Sequence, residues 1–463
     1  MRIPPRVLLL CVLCCFPTLS FAQAVSLVSG GAHPAHPGYA ERAPVPVSSV
    51  SAGYSINAIT INAATGKVIS GASGTAHITA NRNAATEAAS NNNFDLGDTR
   101  NNQPTIDGLN TIATFDGAFV AEAGGSQDGN FRFTMIGNDP RVGGSTVYPA
   151  NIDEVSLQLL NADGSVFKTV PFGPFEQKVL NSPNFVPLNY RSGHNIEYAD
   201  AAHRAEFFNI MKSNWHTVIS PQVVNRVTIT VPFTVDIELE NGDTVQARAY
   251  FTGTAADGST FVEMLSPLFN FFFDNEVVNE INLGNFTTNS INMTLFPNTF
   301  LFDLNTSNPN TPGSCCELGF HTYFLEGGVF PQPRWITEYA SWISPGLFGA
   351  GFQDVTALSH ETSESFDDPF IDNSTPNWQF PGQPANSTVC QANLEIADPI
   401  EGLANATSAI EVKQHGTNTT YHPQNVALYQ WFEMGATSSA IDGAFSFPNE
   451  TVLPTSAIPC PGS

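Results

Sequence analysis

Basic side chains are scarce in this 463-residue chain, with 17 Lys and Arg against 42 Asp and Glu and a formal net charge of −25. An electrostatic grip on nucleic acid or on an anionic membrane surface needs a cationic face, so neither is an expected partner. Charge of either sign is thin, at 13% of residues, where about a quarter is usual. The solvent-facing surface must therefore be built from Asn, Ser, Thr and Gln. No internal segment approaches the roughly 18 apolar residues of a membrane span. The densest, Leu265 to Phe273 (LSPLFNFFF), is broken by Ser, Pro and Asn and reads as buried core. The chain has no Gly-x-Ser-x-Gly elbow and no P-loop. Its glycines at 346, 349 and 351 sit in no βαβ unit, and no repeat of fixed period is visible. Paired acids of a glycosidase stay open, because the many acids offer many pairs. Disorder is excluded as the main state, because 42% of the chain is hydrophobic and 35 residues are Phe, enough apolar surface to offset chain entropy.

Residues 1–24 read as a secretory signal peptide. Arg2 and Arg6 make a basic start, Val7 to Phe16 an apolar core, Pro17 a stop, and Ala22-Gln23-Ala24 a small-x-small cleavage site. An apolar core of about ten residues is too short to span a bilayer, so the expected location is extracellular. Cys11, Cys14 and Cys15 leave with the leader, and Cys315, Cys316, Cys390 and Cys460 remain. An even count in a secreted chain predicts two disulfides. Adjacent cysteines join only in a strained ring, so Cys315 and Cys316 are each expected to reach one of Cys390 and Cys460. A cysteine metal site is disfavoured, because no Cys-x-x-Cys occurs among these four. Eight Asn-x-Ser/Thr sequons, at Asn285, Asn292, Asn305, Asn373, Asn386, Asn405, Asn418 and Asn449, crowd the C-terminal half. In a eukaryotic host they predict a glycoprotein.

Composition divides the rest. Residues 25–52, rich in Pro, Ser, Ala and His, read as a flexible lead-in. Residues 53–300 read as β-rich with one helix near 199–213, where helix formers run without Gly or Pro. Val155–Leu159 and Ser165–Val170 flank an Asn161-Ala-Asp-Gly164 turn and predict a hairpin. Val227 to Ile237 alternates with period 2 and predicts one strand. Pro232 within it lacks the N–H that a central ladder needs, so an edge position or a bulge is expected. Asn241-Gly242-Asp243 then turns the chain into a hairpin.

The chemistry concentrates in residues 301–463. Phe352 to Phe366 reads as one helix, with Val355, Leu358, Thr362 and Phe366 as its packed stripe and Thr356, His360, Glu364 and Asp367 as its polar stripe. His360-Glu361-x-x-Glu364 is a variant of the His-Glu-x-x-His zinc signature. Residues at i and i+4 share a face, so His360 and Glu364 can converge on one cation. Glu361, about 100° round the helix, stands where a general base would polarise a water. A third ligand must come from elsewhere. Glu395 suits that role, and Asp398, three residues on, suits a partner that holds the His360 tautomer. An acidic loop of this kind can instead hold a structural Ca2+. His321 is a competing ligand or a substrate-binding group.

In order, Cys315-Cys316…Gly319-Phe320-His321, Ser359-His360-Glu361-x-x-Glu364 with Asp368-Pro369, and Leu394-Glu395-x-x-Asp398 resemble the secreted plant EXORDIUM, or phosphate-induced protein 1, family. Uncharacterised secreted microbial proteins show a similar constellation. The resemblance covers about residues 310–435. It implies an extracellular protein with a zincin-like core linked to cell-wall growth, and brings no established activity with it. The plant form is richer in Cys. The expected class is therefore α+β: a β-rich N-terminal half followed by a mixed α/β, zincin-like C-terminal half. The expected function is a secreted metal-dependent hydrolase, specifically a zinc peptidase, acting on a peptide or cell-wall substrate. The alternative is a non-catalytic extracellular protein on the same scaffold that binds polysaccharide or a protein partner.

Overall fold

The computed structural model describes residues 112–460, apart from 122, 124–127, 240, 327–332, 349–350, 384–389, 415 and 436, together with the short strands Val45–Pro46, Thr60–Asn62 and Val68–Ser70. The expected leader, nearly all of the lead-in and most of the stretch up to residue 111 lie outside them.

Seven strands form the central sheet. In chain order they are β1 (Val45–Pro46), β2 (Ser145–Leu160), β3 (Val166–Val170), β4 (His216–Val231), β5 (Ile291–Pro297), β6 (Gly319–Leu325) and β7 (Arg334–Trp342). Their spatial order is β1-β6-β7-β5-β2-β4, and β3 also pairs with β2. β7, β5, β2 and β4 run parallel, and β6 returns antiparallel to β7. β3 is the return arm of the expected hairpin, pairing Leu157 with Val170.

The period-2 run at 227–237 is two strands in two sheets. β4 ends at Val231, and Thr234–Glu238 pairs instead with Thr244–Arg248 as the hairpin read from Asn241-Gly242-Asp243. Pro232 is the break: it has no N–H to continue the ladder, and its fixed φ redirects the chain. β4 itself lies at the edge of the central sheet.

Helices cover both faces of this sheet. They are α1 (Gly173–Leu180), α2 (Tyr198–Glu206), α3 (Ser266–Leu283), α4 (Thr356–Asp367) and α5 (Asp398–Glu401). α2 is shorter than the sequence predicts, because Phe207 caps it and Phe208 and Ile210 are exposed beyond. The apolar run at 265–273 opens α3, with Pro267 in its first turn and Gly284 closing it in the left-handed region. No helix among the described residues is long and apolar enough to cross a membrane.

Strand alternation sorts the side chains. On one face Phe320 and Tyr339 pack against Phe269 of α3. On the other, Gly319 and His321 of β6 and Glu338 of β7 meet α4. α4 is thus walled in by β6 and β7 on one side and by α2 on another. Every residue of α4 except His360 is buried, so the expected polar stripe lies inside the protein.

The expectation of a mixed α/β, zincin-like C-terminal half is overturned. The described residues are strand-rich, 45% strand against 17% helix. After residue 301 the described α-helices are α4 and the four-residue α5, set among strands. The physical reason lies in punctuation: Pro, Gly and Asn recur throughout this half and cut it into short extended segments. α4 is its one stretch of twelve helical residues free of Pro and Gly.

The cysteines also pair otherwise than expected. The bonds are Cys315–Cys316 and Cys390–Cys460. Sheet position explains it. Cys315 and Cys316 lie in the strand Pro312–Glu317, in a different sheet from the other two. Cys390 opens a strand on one edge of Ser374–Gln379, and Cys460 follows Ile458–Pro459 on the other. Gln379 pairs with both edges, so the two cysteines meet at one end of that sheet. The bond spans a sequence separation of 70 residues, which in the loop-entropy model restricts the unfolded chain by about 4 kcal/mol. Replacing Cys390 and Cys460 by Ser should lower the urea midpoint accordingly. Replacing Cys315 and Cys316, which close no loop, should change it far less.

Two sequons are interior. Asn292 is fully buried and donates to the Ile336 carbonyl (2.8 Å), and Asn373 is buried and donates to the Thr134 carbonyl (2.9 Å). Neither side chain is open to a glycan in the folded protein.

Candidate metal centre

His360, Glu361 and Glu364 come from α4, His321 from β6, Glu395 from the link before α5, and Asp398 from the first residue of α5. The six sit together in the layer between the sheet and α5, and Glu364 is their hub. Its Oε2 lies 3.0 Å from His360 Nε2 and 3.6 Å from His321 Nδ1. Its Oε1 accepts the Ala397 N–H at 3.0 Å, which fixes the carboxylate and ties α4 to the turn before α5.

Two overlapping donor sets share that hub, each with its ligand atoms within 4.8 Å of one another. The outer set is His360, Glu364 and Asp398. Asp398 Oδ1 stands 3.6 Å from His360 Nε2, while Gln391 donates to Asp398 Oδ2 at 2.8 Å. The inner set is His321, Glu361 and Glu364. Glu361 Oε2 is 3.7 Å from His321 Nδ1, and Glu395 Oε2 is 4.0 Å from it. Glu395 therefore stands beside His321, and the described distances bring Asp398 rather than Glu395 to the His360 ring.

Gln424 was not legible from the sequence. Its Oε1 lies 3.1 Å from His360 Nδ1, its Nε2 donates to the Ala397 carbonyl and its backbone N–H donates to Ser359 Oγ. With the amide so oriented, His360 Nδ1 carries the proton and donates it to Gln424. Nε2 is left facing Glu364 and Asp398, where it donates a proton to Glu364 in the metal-free protein and would be the ligating atom once a cation displaced that proton. Glu338, accepting from Thr362 at 3.1 Å, was missed as well. Neither residue belongs to a local motif, so no spacing in the sequence points to it.

Burial sets the electrostatics. The side chains of His321, Glu361 and Glu364 are about 2–5% exposed, and those of His360 and Asp398 are 14% and 15% exposed, so solvent reaches the outer set alone. Burial opposes the charged form of both histidines, yet Glu361 and Glu364 outweigh it and raise His321 and His360 well above the ordinary value. Glu364, despite its burial, is held below the usual carboxylate range by His360 and His321. Burial raises Glu361, and burial together with Glu364 pushes Asp398 up to about 8.

Gly319 makes the inner set possible. A Cβ there would lie 2.4 Å from Glu361 Oε1 and 2.9 Å from the Tyr339 carbonyl. The backbone oxygen cannot retreat, so Glu361 must. Gly319→Ala should destabilise the fold by about 1–3 kcal/mol, the usual range for overpacking, and should move Glu361 off His321. Thermal unfolding and the imidazole NMR shifts of His321 would report the two effects.

A separate cleft of about 210 Å³, lined by Ser145, Glu197 and His216 among others, contains none of these six residues. His216 Nδ1 stands 2.8 Å from Asp200 Oδ2 there, but Ser145 Oγ donates to the Asn214 carbonyl, so the dyad engages no nucleophile.

No family model, no curated protein and no solved structure matches this chain. The likeness to the EXORDIUM family rests on its three ordered motifs alone.

Proposed function

We propose that the protein is a secreted zinc-dependent hydrolase, acting on a peptide or cell-wall polymer, whose ion sits at the Nε2 side of His360. One observation carries the reading: a single fixed carboxylate oxygen of Glu364 faces imidazole nitrogens from two different elements, at 3.0 and 3.6 Å. His360, Glu364 and Asp398 are the ligands. Imidazole nitrogen favours zinc over Ca2+, which takes oxygen donors. Bound zinc supplies a Lewis acid that lowers the pKa of water. Glu361 and His321 lie immediately inward, where they hold and pass a proton. Gln424 keeps His360 in its ligand tautomer. Substrate approaches from the His360–Asp398 side, the more exposed part of the cluster.

The depth of Glu361, 4% exposed, favours a second reading, a cation that stabilises the fold without catalysis. Metal analysis of the full chain after chelator stripping and zinc reloading, followed by a screen of peptides and wall polysaccharides, decides between them. Zinc with hydrolysis supports the enzyme. Zinc without hydrolysis leaves the stabilising role. Failure to retain zinc removes both.

A further inference from the structure

A second group of ligating side chains lies on the other side of α4. His203 and Glu206, three residues apart on α2, meet Asp367, the last residue of α4. Their ligand atoms lie within 4.8 Å of one another, and the residues are 2%, 1% and 1% exposed. None of them belongs to the centre around Glu364.

Their hydrogen bonding to other protein groups is incomplete. Glu206 Oε1 accepts the Tyr429 N–H at 3.0 Å, but Oε2 is buried with no hydrogen-bond partner. Both ring nitrogens of His203 are in the same state, and the Asp367 carboxylate finds no donor except a proton shared with Glu206. Among the described residues no Lys or Arg pairs with either acid. An orphaned buried polar group costs about 1–3 kcal/mol, and more when charged, so an imidazole without a hydrogen bond beside two buried acids, one donor atom from each within 4.8 Å of the others, calls for a missing partner.

The spacing suits an ion better than a direct bond. His203 Nε2 and Asp367 Oδ1 are 3.6 Å apart, too far to hydrogen-bond. Two donors each about 2.0–2.2 Å from one zinc ion in tetrahedral geometry stand about 3.3–3.6 Å apart. The ring of His203 is held by aromatic contacts alone: it stacks on Phe115 and meets Trp215, Phe207 and Phe366 at centroid distances of 4.9–5.8 Å. That box orients the imidazole and offers it no acceptor. Burial keeps the ring neutral, lowering its pKa to about 3, and a neutral imidazole is the ligand form.

We propose that His203, Glu206 and Asp367 form a second divalent-cation site, which clamps α2 to the C-terminal end of α4. Its donors, one imidazole and two carboxylates, suit zinc or a similar transition ion. Full enclosure makes it a stabilising site rather than a catalytic one. The competing explanation is that the two acids hold protons instead, and burial does push Asp367 up to about 8.

The test uses the full chain, stripped and reloaded with zinc, with metal counted per chain by mass spectrometry. His203→Gln and the near-isosteric Asp367→Asn should each carry one ion fewer than wild type. His360→Ala should lose a different ion, so failure of the α4 centre and failure of this site read out separately. Equal zinc content in wild type, His203→Gln and Asp367→Asn would overturn the proposal. If both variants fail to fold, anomalous scattering at the zinc edge from wild-type crystals decides. A peak within about 2.3 Å of His203 supports the site, and a soaked crystal without one overturns it.

Discussion

Glu364→Gln should weaken zinc binding at the α4 centre by at least about 100-fold, beyond the 10–100-fold typical of losing a group that merely orients a ligand. Glu364 touches every part of the centre. One oxygen faces His360 and His321, and the other accepts the Ala397 N–H. An amide cannot serve both ends: its NH2 must point either at the Ala397 N–H or at the cation. Glu361→Gln should behave differently. It should keep the zinc and lower hydrolysis by about 10²–10⁴-fold, the range for a lost general acid or base. Glu395→Ala should spare the His360 side and disturb His321. Competition with a chromophoric chelator measures the first quantity and turnover the second. Full zinc affinity in Glu364→Gln would place the ion elsewhere.

The metal-free chain should be markedly more stable at pH 5 than at pH 8.5. Asp153 of β2 is fully buried opposite α3, and burial, then Glu276 and Glu280, push it up to about 9. Burial likewise raises Glu276 to about 7, Glu197 to about 8 and Glu338 to about 8. In the unfolded chain these groups ionise near 4. Between about pH 4 and pH 9 the folded state therefore binds more protons than the unfolded state, and stability falls as pH rises. Each such carboxyl contributes a slope of up to about 1.4 kcal/mol per pH unit, flattening above its folded pKa. Urea midpoints across that range, with chelator present, give the profile. Asp153→Asn, which mimics the neutral acid, should flatten it and raise the midpoint at pH 8.5. A wild-type profile level from pH 5 to 9 would show that these acids are ionised inside the fold.

Part of this molecule was legible in its sequence because the signals were local. The α4 helix follows from twelve residues free of Pro and Gly, and the gathering of His360, Glu361 and Glu364 follows from helical spacing. Pro232 announced an interruption, though not that the chain would leave one sheet for another there. What stayed hidden depends on distant partners. A helix with four polar positions on one side reads as half-solvated, and only the closure of α2 and α5 over α4 makes that side interior. The run at 265–273 is too densely apolar to show a helical or a strand period, so it could not be told from a strand. The cysteine pairing turned on which strands flank Ser374–Gln379, a matter of sheet order. His203 and Glu206 sat inside an expected helix without notice, because their partner Asp367 is far along the chain.

The order of strands in the central sheet also governs when the molecule can become itself. β5 lies between β2 and β7, β1 reaches across to β6, and Asn373 bonds to Thr134 from 239 residues away. Few of these pairings join neighbours in sequence, and parallel pairing of distant segments is intrinsically slow. A chain emerging N-terminus first has β2 and β4 early, but it cannot close the sheet until β7 follows. It cannot shape the α4 centre until Gln424 has also emerged. The centre is thus a late product of folding, and its proposed ligands meet only in chains that have already passed the slow step. Zinc added during refolding should raise the final yield of native protein while leaving the rate of sheet formation unchanged.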